Sequence, residues 1–226
     1  MRSLRLLIIS PAFHGYWRAY EESFKHLGHS VRTLRYDELT TALAKARHKL
    51  RVELADRTGG DGQERWAREV TARCAAAVRS ARPDRVLIIR GDLLREEFWD
   101  AVATVGARPV TLIYDEIERM ATSLPELAQH GPVASYSARD TALLTAHGIR
   151  ALHVPDAYDA RLPFTPVPSP EVVFIGALYG QRGPLVQALY DAGVPVRAYG
   201  RDWSHHLFDR IRTWNAPRPR VPAERD

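Results

Sequence analysis

The sequence predicts an α/β fold: a doubly wound, Rossmann-like parallel sheet, followed by the start of a second Rossmann-like domain. Short apolar runs rich in β-branched residues alternate with longer amphipathic stretches, as in strands joined by helical crossovers. The first run, residues 4–10 (LRLLIIS), is continuous rather than alternating, which is typical of a parallel strand covered on both faces. A proline-rich break at residues 161–170 interrupts this alternation, which then restarts.

Six strands with intervening helices are predicted before the break. The predicted strands are residues 4–10, 30–36, 84–91, 109–115, 131–137 and 149–159. The predicted helices are residues 20–29, two within 37–82 of which the second is 63–81, then 95–106 and 138–148. Right-handed crossovers between such strands place them in one parallel sheet with helices on both faces.

After the break the pattern is shorter. It predicts a strand at 171–176, a helix at 183–193, a strand at 194–200, a helix at 202–214 and an irregular Pro- and Arg-rich tail. Two strands and two helices cannot close a sheet alone. We therefore expect a first domain at residues 1–160, a linker at 161–170 and a partial domain at 171–226. Either the partial domain packs against the first domain, or the chain is cut from a longer protein.

Composition narrows the function classes. The 226 residues carry a formal net charge of +5, and the sequence pI is about 9.5, which favours anionic partners. Basic residues are dispersed among acids, so nucleic acid is not the expected partner, and the basic stretches 47–57 and 65–79 favour solvated helix faces. The single cysteine, Cys74, excludes an intramolecular disulfide and suits a reducing cytoplasm. No apolar run is long enough to span a bilayer.

The order of several motifs resembles a known family. The segments LLIISPAFHGYW, RPDRVLIIRGD, YDE, ASYSARD, HVPDAYD, VVFIGALYGQR and VRAYGRDW are together similar to the CgeB-like (spore-maturation-type) glycosyltransferases, which have the GT-B fold. The resemblance covers nearly the whole chain. It implies two Rossmann-like domains facing across a cleft, with the acceptor on the N-terminal domain and a nucleotide-sugar donor, a co-substrate rather than a cofactor, on the C-terminal domain.

Two hypotheses follow from the resemblance. The chain is a cytoplasmic glycosyltransferase, or a fragment of one, that transfers a sugar from a nucleotide-sugar to a hydroxyl acceptor. The family's later donor-binding carboxylates and glycine-rich turns would lie beyond Asp226, so we expect a C-terminal truncation, and activity of this chain alone stays open. The alternative is a non-catalytic Rossmann-like binding module that lacks the donor half. A homodimer or the missing C-terminal half is the expected protein partner.

The loop after the first strand is the first candidate site. In SPAFHGYW, Phe13, His14 and Gly15 follow the carboxyl end of a strand, where open α/β sheets bind ligands. Gly15 allows close backbone approach, and His14 titrates near neutrality, so it could transfer a proton or contact an acceptor hydroxyl. The alternative is a capped turn whose aromatic side chains simply pack.

Carboxylates follow later strands at the same predicted edge. Asp92 follows the third strand, and Asp115 and Glu116 follow the fourth; each could hold an acceptor hydroxyl or accept its proton. Such residues are also ordinary helix caps, the interpretation favoured for Asp92. The resemblance adds Asp156, in HVPDAYD near the expected hinge.

The last candidate is the turn after the first strand of the partial domain. Its glycines, including Gly176, match neither G-x-G-x-x-G nor a P-loop. By resemblance, Gly176 approaches the donor diphosphate and Arg182 neutralises the leaving group, since a guanidinium can clamp two phosphate oxygens. The alternative is a solvated arginine at a helix start. No metal site is predicted.

Overall fold

A computed structural model of the chain describes residues 2–57, 59–163, 165–203 and 222–224. Within these ranges only the backbone is described for six residues: His14, Lys45, Glu53, Arg57, Ala223 and Glu224. The chain divides into two compact units, Met1–Ala160 and Arg161–Asp226.

The first unit contains a six-stranded sheet in which every neighbouring pair is parallel. The strand order is β2-β1-β3-β4-β5-β6. The strands are β1 (Arg5–Ser10), β2 (Ser30–Arg35), β3 (Arg85–Ile89), β4 (Arg108–Ile113), β5 (Val133–Ser135) and β6 (Ala151–His153). The predicted doubly wound parallel sheet is confirmed.

Helices connect these strands. They are α1 (Tyr16–His26), α2 (Ala42–His48), α3 (Ala55–Arg57), α4 (Gly62–Ala81), α5 (Glu96–Thr104), α6 (Leu124–Gln129) and α7 (Ala138–Ala146). A π-helical stretch (Lys49–Leu54) joins α2 to α3, and short 3-10 turns occur at Phe13–Gly15 and Ile117–Arg119. Residues 42–57 therefore form one continuous helical segment, which we call the 42–57 segment.

The core lies on both faces of the central strands. Alternate residues of a strand point to opposite faces, so Leu7 and Ile9 pack in one cluster and Ile8 in another. The first cluster includes Cys74 of α4 and Phe98 of α5, both fully buried. Burial raises the pKa of the Cys74 thiol to about 12. A continuous apolar β1 is thus explained by helices that cover it from either side.

The strand order defines a binding position. From β1 the chain runs outward to β2, and then returns to place β3 on the other side of β1. The connections after β1 and β3 therefore lead to opposite faces, and a crevice opens at the carboxyl ends of these two strands. Residues that follow these strands can meet a ligand there.

The second unit contains a three-stranded parallel sheet of order β7-β8-β9, made of β7 (Val172–Ile175), β8 (Val196–Tyr199) and β9 (Ala223–Glu224). Helix α8 (Arg182–Asp191) joins β7 to β8. The tail was predicted to be irregular, but Ala223 pairs with Ala198 of β8, so part of it is a strand. The helix predicted at 202–214 lies outside the described residues from position 204 onward.

In the ranges that the structure describes, none of the helices combines the length and the apolar character needed to cross a bilayer.

Candidate functional site

The carboxyl edge of the six-stranded sheet carries a concentration of polar and aromatic side chains. Three of its strands, β2, β4 and β5, are each followed directly by a tyrosine: Tyr36, Tyr114 and Tyr136. Strand β3 is followed by Arg90. Because the strands are parallel, these four residues share one edge of the sheet.

The turn after β3 has an unusual backbone. Arg90 has a φ of +73°, in the left-handed region that residues other than glycine rarely adopt. Its Nε donates to Asp92 Oδ2 at 3.1 Å, and its backbone amide donates to the carbonyl of Leu112 in β4. The strained turn thus holds a half-buried guanidinium and a carboxylate together at the crevice.

The sequence favoured Asp92 as the cap of the next helix, and this prediction is wrong. Helix α5 begins at Glu96 with Arg95 in the capping position, so Asp92 lies too early in the loop. Its Oδ2 accepts from Arg90, while its Oδ1 is buried with no hydrogen-bond partner among the described residues. A buried carboxylate oxygen without a donor is costly, which makes this atom a natural acceptor for a ligand hydroxyl.

A buried tyrosine, Tyr36, and a half-buried tyrosine, Tyr114, lie beside this pair. Burial first, and then the charge of Asp37, raises the pKa of Tyr36 far above the ordinary tyrosine value. Burial also raises the pKa of Tyr114, against the opposing effect of the nearby Arg90 guanidinium. Both phenols therefore keep their protons at neutral pH and can act as hydrogen-bond donors.

The loop after β1 joins the same edge. Asp37 Oδ1 accepts from the backbone amide of Ala12 at 2.6 Å, which fixes the start of this loop. The ring of Tyr16 lies edge-on to Phe13 at 6.2 Å and to Tyr114 at 6.5 Å between centroids. Aromatic contacts thus connect the loops that follow β1 and β4.

Of the two remaining residues predicted in this loop, only one can be described fully. Gly15 has a φ of +71° and precedes the first residue of α1, so a glycine is favoured at this helix start. The side chain of His14 lies outside what the structure describes, and only its backbone position in the 3-10 turn is known.

Asp115 and Glu116 are held by neighbours rather than free in solution. Arg119 Nη1 lies 3.0 Å from Asp115 Oδ1 and 3.5 Å from Glu116 Oε2. The hydroxyl of Tyr136 donates to Glu116 Oε1 at 3.1 Å. A hydrogen bond from its own backbone amide, and then the one from Tyr136, holds the pKa of Glu116 below its ordinary value.

Asp156 lies near Tyr20 of helix α1. Burial raises the pKa of Tyr20, and the charge of Asp156 adds to the rise, so the two side chains are close enough to interact. Tyr20 in turn packs on the cluster that contains Ile8 and Ile89. Asp156 itself is exposed.

The structure therefore brings Phe13 and Asp92 close to the Tyr114–Asp115 corner. Asp156 is connected to this corner less directly, through Tyr20. The sequence analysis missed five residues of this edge: Tyr36, Asp37, Arg90, Tyr114 and Tyr136. Asp37 directly follows a predicted strand, and the other four are among the last two residues of predicted strands, one residue beyond the observed strand ends. The described side chains contain no group of three or more His, Cys, Asp or Glu residues positioned for a metal ion.

The turn after β7 forms a separate candidate site in the second unit. An open cavity of about 540 Å³ is lined by six residues: Tyr179, Gly180, Gln181, Arg182, Pro184 and Leu185. Arg182 is the first residue of α8, and its guanidinium lies over the Tyr179 ring, 4.0 Å from the centroid. Its Nη1 donates to the carbonyl of Ala177 at 3.2 Å. The side chain is thus folded across the turn instead of extending into solvent.

Gly176 and Gly200 let the ends of β7 and β8 approach closely. The amide of Gly176 donates to the carbonyl of Tyr199 at 2.8 Å. A Cβ on Gly200, whose φ is +133°, would lie only 2.5 Å from the carbonyl oxygen of Gly176. Arg182 Nη1 would lie 3.1 Å from a Cβ on Gly176, so the guanidinium rests directly beside this backbone.

Comparisons with known proteins give loose structural similarities. No protein-family model and no curated protein sequence matches the chain. The structure is similar to that of SsfS6, a glycosyltransferase of Streptomyces sp. SF2575, with 16% identity, a TM-score of 0.47, and coverage of 99% of this chain and 71% of SsfS6. It is also similar to CalG4, the calicheamicin glycosyltransferase, with 11% identity, a TM-score of 0.46, and coverage of 99% and 70%.

Proposed function

We propose that the chain is a glycosyltransferase, or part of one, of the CgeB-like kind, which transfers a sugar from a nucleotide-sugar to a hydroxyl acceptor. The observation that carries the proposal is the position of Arg182. It begins the helix after β7, lies beside the Gly176 backbone and borders a cavity of about 540 Å³. A cavity of that size is within the range of small-molecule sites.

Arg182 would bind the donor diphosphate. A guanidinium presents five N–H donors in a planar fork, and the Ala177 carbonyl accepts from one of them, which orients the group over the turn. As the bond between the sugar C1 and the diphosphate oxygen breaks, negative charge collects on the leaving group. A fixed cation at that point stabilises the transition state more than the ground state.

The acceptor would bind at the carboxyl edge of the first sheet. Asp92 Oδ1 offers an acceptor for a sugar-like hydroxyl, and the protonated Tyr114 and the Arg90 guanidinium offer donors. The acceptor oxygen forms the new bond to C1, and its proton passes to a base. Asp115 and His14 are the proposed proton acceptors.

Glu116 has a different proposed role. Its pKa is held below the ordinary glutamate value, so it stays ionised and is a weak base at neutral pH. We therefore assign it to positioning, through Tyr136 and Arg119, rather than to proton transfer.

Calorimetric titration of the full chain with UDP- and GDP-sugars tests the donor site. Arg182→Ala should weaken the binding of the preferred nucleotide-sugar by about tenfold or more, because a hydrogen bond to a charged group contributes about 1.5–3 kcal/mol. Arg182→Lys keeps the positive charge but not the planar guanidinium. Its affinity for the nucleotide-sugar should lie between those of wild type and Arg182→Ala.

Arg139→Ala is the matched control, since Arg139 is an exposed arginine in the first unit that pairs with Glu118. It should leave the affinity within about twofold, as expected for a surface ion pair. If no nucleotide-sugar binds even a full-length version of the protein, or if Arg182→Ala binds as tightly as wild type, the donor-site hypothesis is wrong. The non-catalytic binding module is then the better account.

A further inference from the structure

The 42–57 segment has an outward stripe of leucines that the proposed function does not explain. Its inner side packs on the unit: Val52 is buried, and the ring of half-buried His48 lies edge-on to Trp66 of α4 at 4.7 Å between centroids. Leu43, Leu50 and Leu54 lie outside this packing and are 78%, 64% and 51% exposed.

The three leucines form a stripe rather than a scatter. They are spaced seven and four residues apart, so they recur on one side of a helical segment. Single exposed leucines are ordinary, but several on one side of one element form an apolar patch, and such patches mark contact surfaces. The stripe therefore points to a partner that is itself apolar.

Basic side chains are interleaved with this stripe. Arg47, Lys49 and Arg51 are all exposed, and none of them forms an ion pair with another described residue. The whole segment contains five Lys or Arg residues and two acids. The patch thus combines exposed leucines with an excess of positive charge.

Helix α4, the other basic helix of this unit, shows the contrast. Its Arg65 and Arg68 pair with Asp61, and Arg68 also lies near Glu64, so this helix neutralises much of its own charge. The sequence analysis treated both basic stretches alike, as solvated faces. The structure separates them. Among the described side chains of these two stretches, only those of the 42–57 segment combine exposed leucines with basic residues that form no ion pair with another described residue.

We propose that the 42–57 segment docks on the surface of an anionic phospholipid bilayer, parallel to the membrane plane. The leucines would enter the boundary between headgroups and acyl chains, and Arg47, Lys49 and Arg51 would lie over the lipid phosphates. Interfacial helices combine an apolar face with Lys and Arg in this way. Each basic residue close to an anionic leaflet adds to the attraction, which weakens with salt.

Flotation of the full chain with phosphatidylcholine vesicles, with and without about 30% phosphatidylserine, tests the proposal. We expect binding to the anionic vesicles only, with a loss of about tenfold or more when salt is raised from about 0.1 to about 0.5 M. Combined Leu43→Ser, Leu50→Ser and Leu54→Ser should reduce binding by about tenfold or more, because less apolar surface enters the interface. Combined Arg47→Gln, Lys49→Gln and Arg51→Gln should reduce it similarly.

A matched control replaces three other exposed leucines, Leu27, Leu152 and Leu162, which are 58%, 64% and 69% exposed. This variant should bind anionic vesicles like wild type. Hydrogen exchange of the wild-type chain gives a readout that needs no variant: peptides covering residues 42–57 should become protected when anionic vesicles are added.

Three results would overturn the proposal. They are absence of wild-type binding to anionic vesicles, an equal loss in the control variant, or binding without protection of residues 42–57. A chain that dimerises through the leucines, with a dimer mass that the leucine variant loses and with no vesicle binding, would identify a second copy as the partner instead.

Discussion

Arg90, at the carboxyl edge of the six-stranded sheet, has a strained backbone conformation. A φ of +73° at a long side chain costs about 1–3 kcal/mol, which the surrounding structure must offset. The offset comes from the amide bond to the Leu112 carbonyl and from the pairing with Asp92. In this conformation the side chains of Arg90 and Asp92 lie together in the turn after β3, at the crevice.

The Glu116–Tyr136 pair gives a pH-dependent prediction. In Tyr136→Phe the phenol no longer donates to Glu116, so the pKa of Glu116 should rise but stay below its ordinary value, because its own backbone amide still donates. A side-chain carboxyl NMR titration from about pH 2 to about pH 7 measures this. Tyr158→Phe, at an 87% exposed tyrosine, should leave the titration unchanged.

The sign of the stability effect follows from the same pair. Because the folded pKa of Glu116 is depressed, its contribution to stability is complete above the unfolded pKa and is lost as pH falls through the folded pKa. The Tyr136→Phe variant should therefore lose less stability than wild type on acidification. A Glu116 titration identical in wild type and Tyr136→Phe contradicts the assignment.

At the level of single residues, the sequence predicted positions better than partners. It placed Asp92, Asp115 and Glu116 after strands because a continuous apolar run shows where a parallel strand ends. It could not predict that Asp92 pairs with Arg90 instead of capping α5, since this depends on how many loop residues precede the helix. The left-handed φ of Arg90 leaves no mark in the sequence.

The ends of β7 and β8 make Gly200 a point of close approach between two elements. Gly200→Ala combines a backbone conformation unfavourable for alanine with an overlap against the Gly176 carbonyl, 2.5 Å from the new Cβ. We expect a loss of about 3 kcal/mol in the free energy of unfolding of the second unit. Urea unfolding followed by hydrogen exchange of peptides from β7 and β8 measures the stability of that unit separately from the first.

Gly193→Ala separates the two causes. Gly193 also has a positive φ, of +82°, but a Cβ there meets no atom within 4 Å. It should cost only the backbone strain of about 1 kcal/mol. Equal losses in the two variants would show that the β7–β8 approach is looser than described.

Elements differed in how far their sequence revealed them. Continuous apolar runs identified β1 and β3, because burial on both faces leaves no polar positions. The 42–57 segment was predicted as helical, but its π-helical stretch was not. Nor could the pattern decide whether Val52 or the three leucines pack inward, since this depends on where α4 lies.

The division of the whole chain gives a prediction for limited proteolysis. The two units meet in sequence at Ala160 and Arg161, and the described residues from 161 to 170 are exposed. Exposed connections are preferred sites of proteolytic cleavage. Brief trypsin treatment should cut first after Arg161 and leave residues 1–161 intact by mass spectrometry.

Arg161→Gln should remove this first fragment, whereas Arg139→Gln, within a helix of the first unit, should not. First cuts inside the β-strands of the first unit would contradict the proposed boundary. The fold class of that unit was predictable as a whole, because alternating strands and crossover helices admit few topologies. The pairing of β9 with β8 was not, because the proline-rich tail carries no strand pattern.

The burial of Cys74 has a practical consequence for studying how the molecule moves. Thiol reagents attack the ionised sulfur, and a fully buried thiol with a pKa of about 12 is almost entirely protonated and shielded at neutral pH. The native chain is therefore a silent background for maleimide chemistry. A cysteine placed on each unit would accept fluorescent or spin labels without removing the natural one, so that distances between the units can be followed in solution.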